Sequence, residues 1–420
     1  MMDRKAEPEI RFKGFTDSWE QRKLGDCFSS LQNNTLSRAD LNDENGAAMN
    51  VHYGDVLIKF NECLDISKEH LPYIEEKDIV DKFKTSYLQN GDIVIADTAE
   101  DETVGKCTEI IGLSDQKVIS GLHTIPLRPN IKFASGYLGF YLNSDSYHEQ
   151  LKPLMQGIKV TSISKNAMQD TIIRYPDNTR EQGLIGQYFL NLDRLITLYQ
   201  RKCDKLCDFK KALLCNMFPA AEADAPKVRF KGYTKPWKHW TLGELYTERK
   251  EAGNDDLPIL SVSIHSGVSA DELDSAELGK AVRRSEDKSL YKHTYKGDLV
   301  FNMMRAWQGA IGVVPKEGMV SPAYITAIPN DEVFPEFMDY CLRREEVINQ
   351  INNLSYGVTD FRKRLYWDSF VRVQIMLPSV EEQKKITATL VQLDELIELQ
   401  SAKVERLKNL KAACLEKMFV

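Results

Sequence analysis

Four groups of residues in this chain have types and spacing that could do chemistry. Asp97, Glu100, Asp101 and Glu102, followed by Lys106, crowd carboxylates into one short stretch, as a nuclease metal site would require. The corresponding stretch of the second half, 302–309, contains no carboxylate, so a solvated acidic loop is the expected reading. Cys203 and Cys207 lie one helical turn apart, but no histidine is near them in sequence and no Cys-x-x-Cys spacing occurs. The cysteines are therefore read as free thiols rather than metal ligands. Arg305, Trp307 and Gln308 form a compact set with a different chemistry. Arginine can hold guanine through two hydrogen bonds, glutamine can read adenine, and tryptophan can pack on a sugar or a displaced base. Finally, Arg362, Lys363 and Arg364 follow Gly357-Val-Thr359, and Lys159 follows Gly157-Ile158. The two glycine turns occupy equivalent places in the two halves and could approach phosphate; Lys106 is a further candidate contact. His123 and Thr124 are expected to be buried structural residues.

The elements that must position these groups are written twice. Pro8-Glu-Ile-Arg-Phe-Lys-Gly-Phe-Thr-Asp-Ser-Trp19 recurs as Pro226-Lys-Val-Arg-Phe-Lys-Gly-Tyr-Thr-Lys-Pro-Trp237, and the same offset carries Leu24-Gly25 onto Leu242-Gly243. A second repeat closes each half. Glu181-Gln182, Leu192-Asp193, Leu195-Ile196 and Met217-Phe218 match Glu382-Gln383, Leu393-Asp394, Leu396-Ile397 and Met418-Phe419. Within it, spacing alternates four and three: Ile185, Phe189, Leu192, Ile196, Tyr199, Cys203, Leu206, Lys210, Leu213, Met217. The second copy runs Ile386, Leu390, Leu393, Ile397, Gln400, Val404, Leu407, Lys411, Cys414, Met418. A sustained 3.5-residue period predicts a long helix with one narrow seam suited to another helix, and the polar seam residues Lys210, Gln400 and Lys411 would fix its register. Each helix should run about 37 residues, roughly 55 Å at 1.5 Å per residue.

Between opening motif and helix, short apolar runs are broken by Gly, Pro and Asn. Gly91-Asp-Ile-Val-Ile95, Gly297-Asp-Leu-Val-Phe301, Ile172-Ile-Arg-Tyr175 and residues 371–377 read as strands, with helical segments near 133–151 and 335–353. The Gly-Asp pairs correspond, yet the loops after the two runs do not: Ala96-Asp-Thr-Ala-Glu-Asp-Glu-Thr-Val-Gly105 against Asn302-Met-Met-Arg-Ala-Trp-Gln-Gly309. A shared frame with divergent loops suits two recognition modules of different specificity. The predicted fold class is mixed α/β: two globular domains separated by two long antiparallel coiled-coil helices, as a pseudo-twofold internal duplication.

Composition is that of an ordinary soluble chain, 42% apolar and 28% charged, and no apolar run approaches the length of a membrane span or signal segment. A cytoplasmic protein is expected. Net charge is -7, against the usual basic balance of a small DNA binder. The charge is uneven, however. Residues 280–310 hold Lys280, Arg283, Arg284, Lys288, Lys292, Lys296 and Arg305 against Glu286, Asp287 and Asp298, and residues 128–165 are also locally basic. Such patches could face phosphate while the remainder stays acidic.

The duplicated order of motifs resembles the specificity subunits of Type I restriction-modification systems. The residues that carry the resemblance are Phe12-Lys-Gly-Phe, Trp19, Leu24-Gly25, Gly91-Asp92, Ser120-Gly-Leu-His-Thr124 and Glu181-Gln182 with Leu192-Asp193 and Ile196, together with their second-half partners. The second half departs from the pattern at Ser321-Pro-Ala-Tyr324. The resemblance implies a first target-recognition domain over 1–178, a conserved helix over 179–219, a linker over 220–227, a second domain over 228–379 and a second helix over 380–420. It implies a bipartite double-stranded DNA target, one half-site per domain, with the helix pair as a ruler of about 16 base pairs. It further implies two methyltransferase subunits docked on the helices and neighbouring segments, and restriction subunits in the full complex.

By the same resemblance this chain is non-catalytic and holds no cofactor. S-adenosylmethionine, ATP and Mg2+ belong to the partners that methylate adenine at N6 and cleave DNA. The sequence agrees: it has no Gly-x-x-x-x-Gly-Lys-Ser/Thr phosphate loop and no Asn/Asp-Pro-Pro-Tyr/Phe motif. A stand-alone nuclease or methyltransferase would need such a motif. A scaffold that binds only proteins would account for the helices but not for two divergent α/β domains, and loss of DNA affinity with salt would separate the two readings.

Overall fold

The structure is a computed structural model and describes residues 7–157, 159–220, 223–254, 256–269, 290–357 and 362–420. Lys280, Arg283, Arg284 and Lys288 lie outside these residues, as do Ile158 and residues 358–361. The chain divides into two compact units, residues 1–201 with 401–420 and residues 202–400. Each unit holds one α/β domain, the start of the long helix that follows it, and the end of the other long helix.

In the first unit, β1 (Phe28–Ser30), β2 (Cys63–Asp65), β3 (Ile93–Ala96), β4 (Cys107–Ile111) and β5 (Thr124–Pro129) form one sheet in the order β1-β5-β3-β4-β2. All neighbours are antiparallel except β2 and β4. In the second, β6 (Tyr246–Arg249), β7 (Leu299–Asn302), β8 (Ile311–Val313) and β9 (Tyr324–Pro329) follow the order β6-β9-β7-β8. The second sheet repeats the first without its parallel edge strand. Its central strand β7, like β3, buries every side chain, which explains the unbroken apolar runs in their sequences.

The repeated motifs build the frame. The guanidinium of Arg11 donates to Glu181 through Nε (2.7 Å) and Nη2 (2.9 Å), and Arg229 does the same to Glu382 (2.7 and 2.8 Å). Gln182 accepts from the Ala134 N–H and donates to the Pro176 carbonyl; Gln383 accepts from Phe334 and donates to Pro378. The Gly-Asp pairs are turns in which glycine takes φ near +91° and the buried aspartate holds the turn. Asp92 accepts from the Gln89 N–H and from Arg128, and Asp298 from the Tyr295 N–H and from Arg249.

Helices α1 (Tyr137–Leu142), α3 (Pro335–Leu342) and α4 (Glu345–Leu354) cover the sheets, while α2 (Thr179–Asn216) and α5 (Val380–Met418) are the long helices of 38 and 39 residues. Their seam changes partner along its length, which the period alone did not reveal. Ile185, Phe189 and Leu192 enter the core of the first domain, and Ile386 and Leu390 enter that of the second; Leu393 is also buried. Ile196, Leu206, Ile397 and Leu407 are only half-buried. Within the first unit, α5 runs antiparallel to α2: Tyr188 meets Cys414, Lys411 binds Asp193 (2.7 Å), and Lys403 lies over the Tyr199 ring at 4.3 Å. Within the second, Lys210 binds Asp394, which also accepts from the Tyr340 hydroxyl (2.8 Å). Both seam lysines are thus ion-paired, and Gln400 is buried. Among the described residues no helix is long and apolar enough to cross a membrane.

Candidate nucleic-acid interface

In both domains, three loops that are far apart in sequence meet beyond the end of the central strand, and the same backbone hydrogen bonds clamp them. In the first, the Asp97 N–H donates to the His123 carbonyl (3.1 Å) and the Ile163 N–H donates to the Asp97 carbonyl (2.9 Å). In the second, Met303 donates to Ala323 (3.4 Å) and Leu365 donates to Met303 (2.9 Å). The third loop is a hairpin in each case. Gln156 and Ser162 exchange both backbone bonds at 2.9 and 2.8 Å, and Tyr356 and Arg364 do so at 3.1 and 3.0 Å. Each hairpin turns on a glycine that nothing larger could replace: a Cβ on Gly157 would stand 1.9 Å from the Val160 carbonyl oxygen, and one on Gly357 2.2 Å from that of Arg362.

On the second domain this clamp unites two groups read separately in the sequence. Arg305 and Gln308 are exposed on the first loop, and Trp307 is half-buried with its Nε1 donating to the Met304 carbonyl (2.9 Å). Arg362 and Arg364 are exposed on the hairpin, and Lys363 is half-buried. Arg305 lies near enough to Tyr324, at the start of β9, to oppose the upward push that burial gives the Tyr324 phenol. Tyr356 and Tyr366 add a pair of rings with centroids 4.8 Å apart. Cations, an amide and aromatic faces on one surface are what phosphate contact and base reading need.

The first domain presents different side chains on the same frame. Lys159 is exposed on its hairpin. Lys106 is half-buried, its ammonium donates to the Leu57 carbonyl (2.8 Å), and burial lowers its pKa. The acidic loop is held by its own hydroxyls, Asp97 accepting from Thr98 and Asp101 from Thr103, and among the described residues no group of His, Cys, Asp and Glu is placed to hold a metal. Thr124 is buried, with its hydroxyl beside that of Ser120. His123 corrects the expectation, since its side chain is 47% exposed and faces Asp97 and Tyr53.

Comparison with known proteins bears directly on this arrangement. The family described as "Type I restriction modification DNA specificity domain" matches residues 16–206 and 243–409, one copy on each domain with the start of a long helix. The chain belongs to that family. A type I restriction enzyme MjaX specificity subunit from Methanocaldococcus jannaschii is 20% identical over 94% of this chain and 91% of that protein. The crystal structure of a Type-I restriction-modification system S subunit from M. genitalium shares the fold, with a TM-score of 0.59, 13% identity and 99% of each chain covered. The HsdS subunit from Thermoanaerobacter tengcongensis aligns over 96% of each chain at 18% identity with a TM-score of 0.47.

This type I specificity subunit therefore carries two target-recognition domains with a long helix between them, and DNA sequence specificity follows from its family. Tyr53, His123, Tyr356 and Tyr366 of these loop clusters were not singled out as contacts in the sequence. Tyr356 could have been, because it directly precedes the Gly-Val turn; Tyr53 joins His123 only through tertiary packing.

Proposed function

We propose that this subunit reads a bipartite duplex DNA target, each domain recognising one half-site through its three-loop surface. The observation that carries the proposal is the identical backbone clamp bearing non-equivalent side chains: Asp97 and His123 in one domain, Met303 and Ala323 in the other. Arg305, Gln308, Arg362, Lys363 and Arg364 contact the second half-site with Trp307 packing beside them, and Lys159 approaches phosphate at the first. The long helices set the spacing between half-sites. At 38 residues, α2 spans roughly 57 Å, about 16 or 17 base pairs at 3.4 Å per step.

The same helices dock two methyltransferase subunits. Support comes from their exposed apolar residues, which recur at matched positions: Leu195 (39% exposed) with Leu396 (45%), and Leu198 (58%) with Leu399 (61%). Two equivalent patches suit two copies of one partner. Restriction subunits complete the assembly, and S-adenosylmethionine, ATP and Mg2+ serve those partners rather than this chain, which acts in the cytoplasm. Co-expression with the cognate methyltransferase subunit and sequencing of methylated adenines tests the proposal. One bipartite motif with a fixed spacer, of which one half changes when residues 228–379 are exchanged for another subunit's, supports it. Co-purification without any motif contradicts it.

A further inference from the structure

Among the described residues, His123 is the one non-glycine with positive φ, at +54°. Such a backbone is uncommon for any residue with a Cβ and persists where its surroundings impose it. Here the Asp97 N–H binds the His123 carbonyl, and the Nδ1 edge of the ring faces Asp97 Oδ1 at 3.3 Å and Thr98 Oγ1 at 3.5 Å. The Thr98 hydroxyl donates to the same Asp97 oxygen (2.8 Å), and Tyr53 meets the ring edge-on with centroids 5.3 Å apart. The imidazole is thus oriented on one side although nearly half of it is exposed. Nε2 has no hydrogen-bond partner among the described residues.

A carboxylate beside Nδ1 selects the tautomer with its proton there and leaves a lone pair on Nε2. In the major groove, the groups complementary to that lone pair are the exocyclic amines, N6 of adenine and N4 of cytosine. The second domain keeps the backbone bonds but replaces the pair together, Asp97 by Met303 and His123 by Ala323. Side chains exchanged as a pair on an unchanged frame are those free to set what each domain reads. We infer that His123 is a specificity-determining residue of the first domain, accepting a hydrogen bond from the exocyclic amine of one adenine or cytosine, with Asp97 as its positioning residue. The inference rests on the half-site reading proposed above.

The test uses the full chain in complex with its methyltransferase subunit, with the methylated motif read by sequencing. His123→Gly removes the ring and suits the left-handed backbone, so its melting temperature should equal or exceed that of the parent. The position affected should be one specified base pair of the half-site that survives exchange of residues 228–379, an A·T pair meaning that the adenine amine is read and a G·C pair the cytosine amine. His123→Gly should relax that one position roughly tenfold or more and leave the spacer and the other half-site intact. Asp97→Ala should relax the same position. An unchanged motif, or a uniform loss over all sequences as from a phosphate contact, or a change in the other half-site, overturns the inference while the half-site reading stands. If the parent itself directs no bipartite motif, the reading fails before any substitution is made, and the inference fails with it.

Discussion

The ring of Phe419 packs edge-on against Trp19, centroids 6.5 Å apart, so α5 completes the core of a domain whose opening motif lies four hundred residues earlier. Tyr137, Tyr141 and Phe189 enclose the same ring. In the second unit the equivalent Phe218 packs on Trp237 and Phe337. Phe419→Ala should therefore destabilise the first unit by about 3–5 kcal/mol, and Phe218→Ala the second. Limited proteolysis with fragment identification would show which unit opens; cleavage in the wrong unit would contradict the assignment.

The opening motif contributes a charge as well as a ring. Glu181 and Glu382 are each 1% exposed, and one arginine holds each through two nitrogens. Arg11→Ala and Arg229→Ala each strand a buried carboxylate, a loss of roughly 3–5 kcal/mol. Replacing both partners, as in Arg11→Met with Glu181→Leu, should recover most of that loss. Chemical denaturation of the single and paired variants measures the coupling, and additive losses would argue against it.

A buried carboxylate ties sheet to helix in both domains, but it sits on opposite partners. Glu109 on β4 accepts from the Gly136 and Gly139 N–H groups at α1, whereas Asp339 on α3 accepts from the Val313 N–H on β8. Burial pushes the Glu109 pKa up to about 7 and that of Asp339 up to about 6. Both folded values exceed those of the unfolded chain, so the folded state binds the proton more tightly. The resulting stability is complete below about pH 4 and is lost as pH rises through 6 in the second unit and 7 in the first, on the order of 3 kcal/mol each. Glu109→Gln should flatten this fall for the first unit and Asp339→Asn for the second. Melting temperatures between pH 5 and 8 provide the check, and an unchanged slope in the variants would remove these carboxylates as its cause.

The matched leucines on the long helices predict stoichiometry. Leu198→Glu should cost the complex one methyltransferase copy, Leu399→Glu the other, and the double variant both. Native mass measurement distinguishes these outcomes directly. Loss of both copies from either single variant would mean that the two patches do not act as separate docking sites.

Much of this protein was legible in the sequence because its signals are local or periodic. A 3.5-residue apolar period writes a long helix whatever surrounds it, and Lys210 and Lys411 interrupt the seam where each now finds a carboxylate. The recurrence of Arg-Phe-Lys-Gly, Trp, Gly-Asp and Glu-Gln marked two copies of one frame, and these residues hold that frame together. Tertiary structure alone decided which groups face outward. Lys106 reads as a candidate contact, and its ammonium binds the Leu57 carbonyl across a fold that its neighbours in sequence do not specify. His123 reads as a core residue, but its side chain is 47% exposed beside Asp97. The three-loop cluster of the first domain joins residues near 97, 123 and 163 through single hydrogen bonds, and contacts between positions so distant leave no period or spacing in the chain to read.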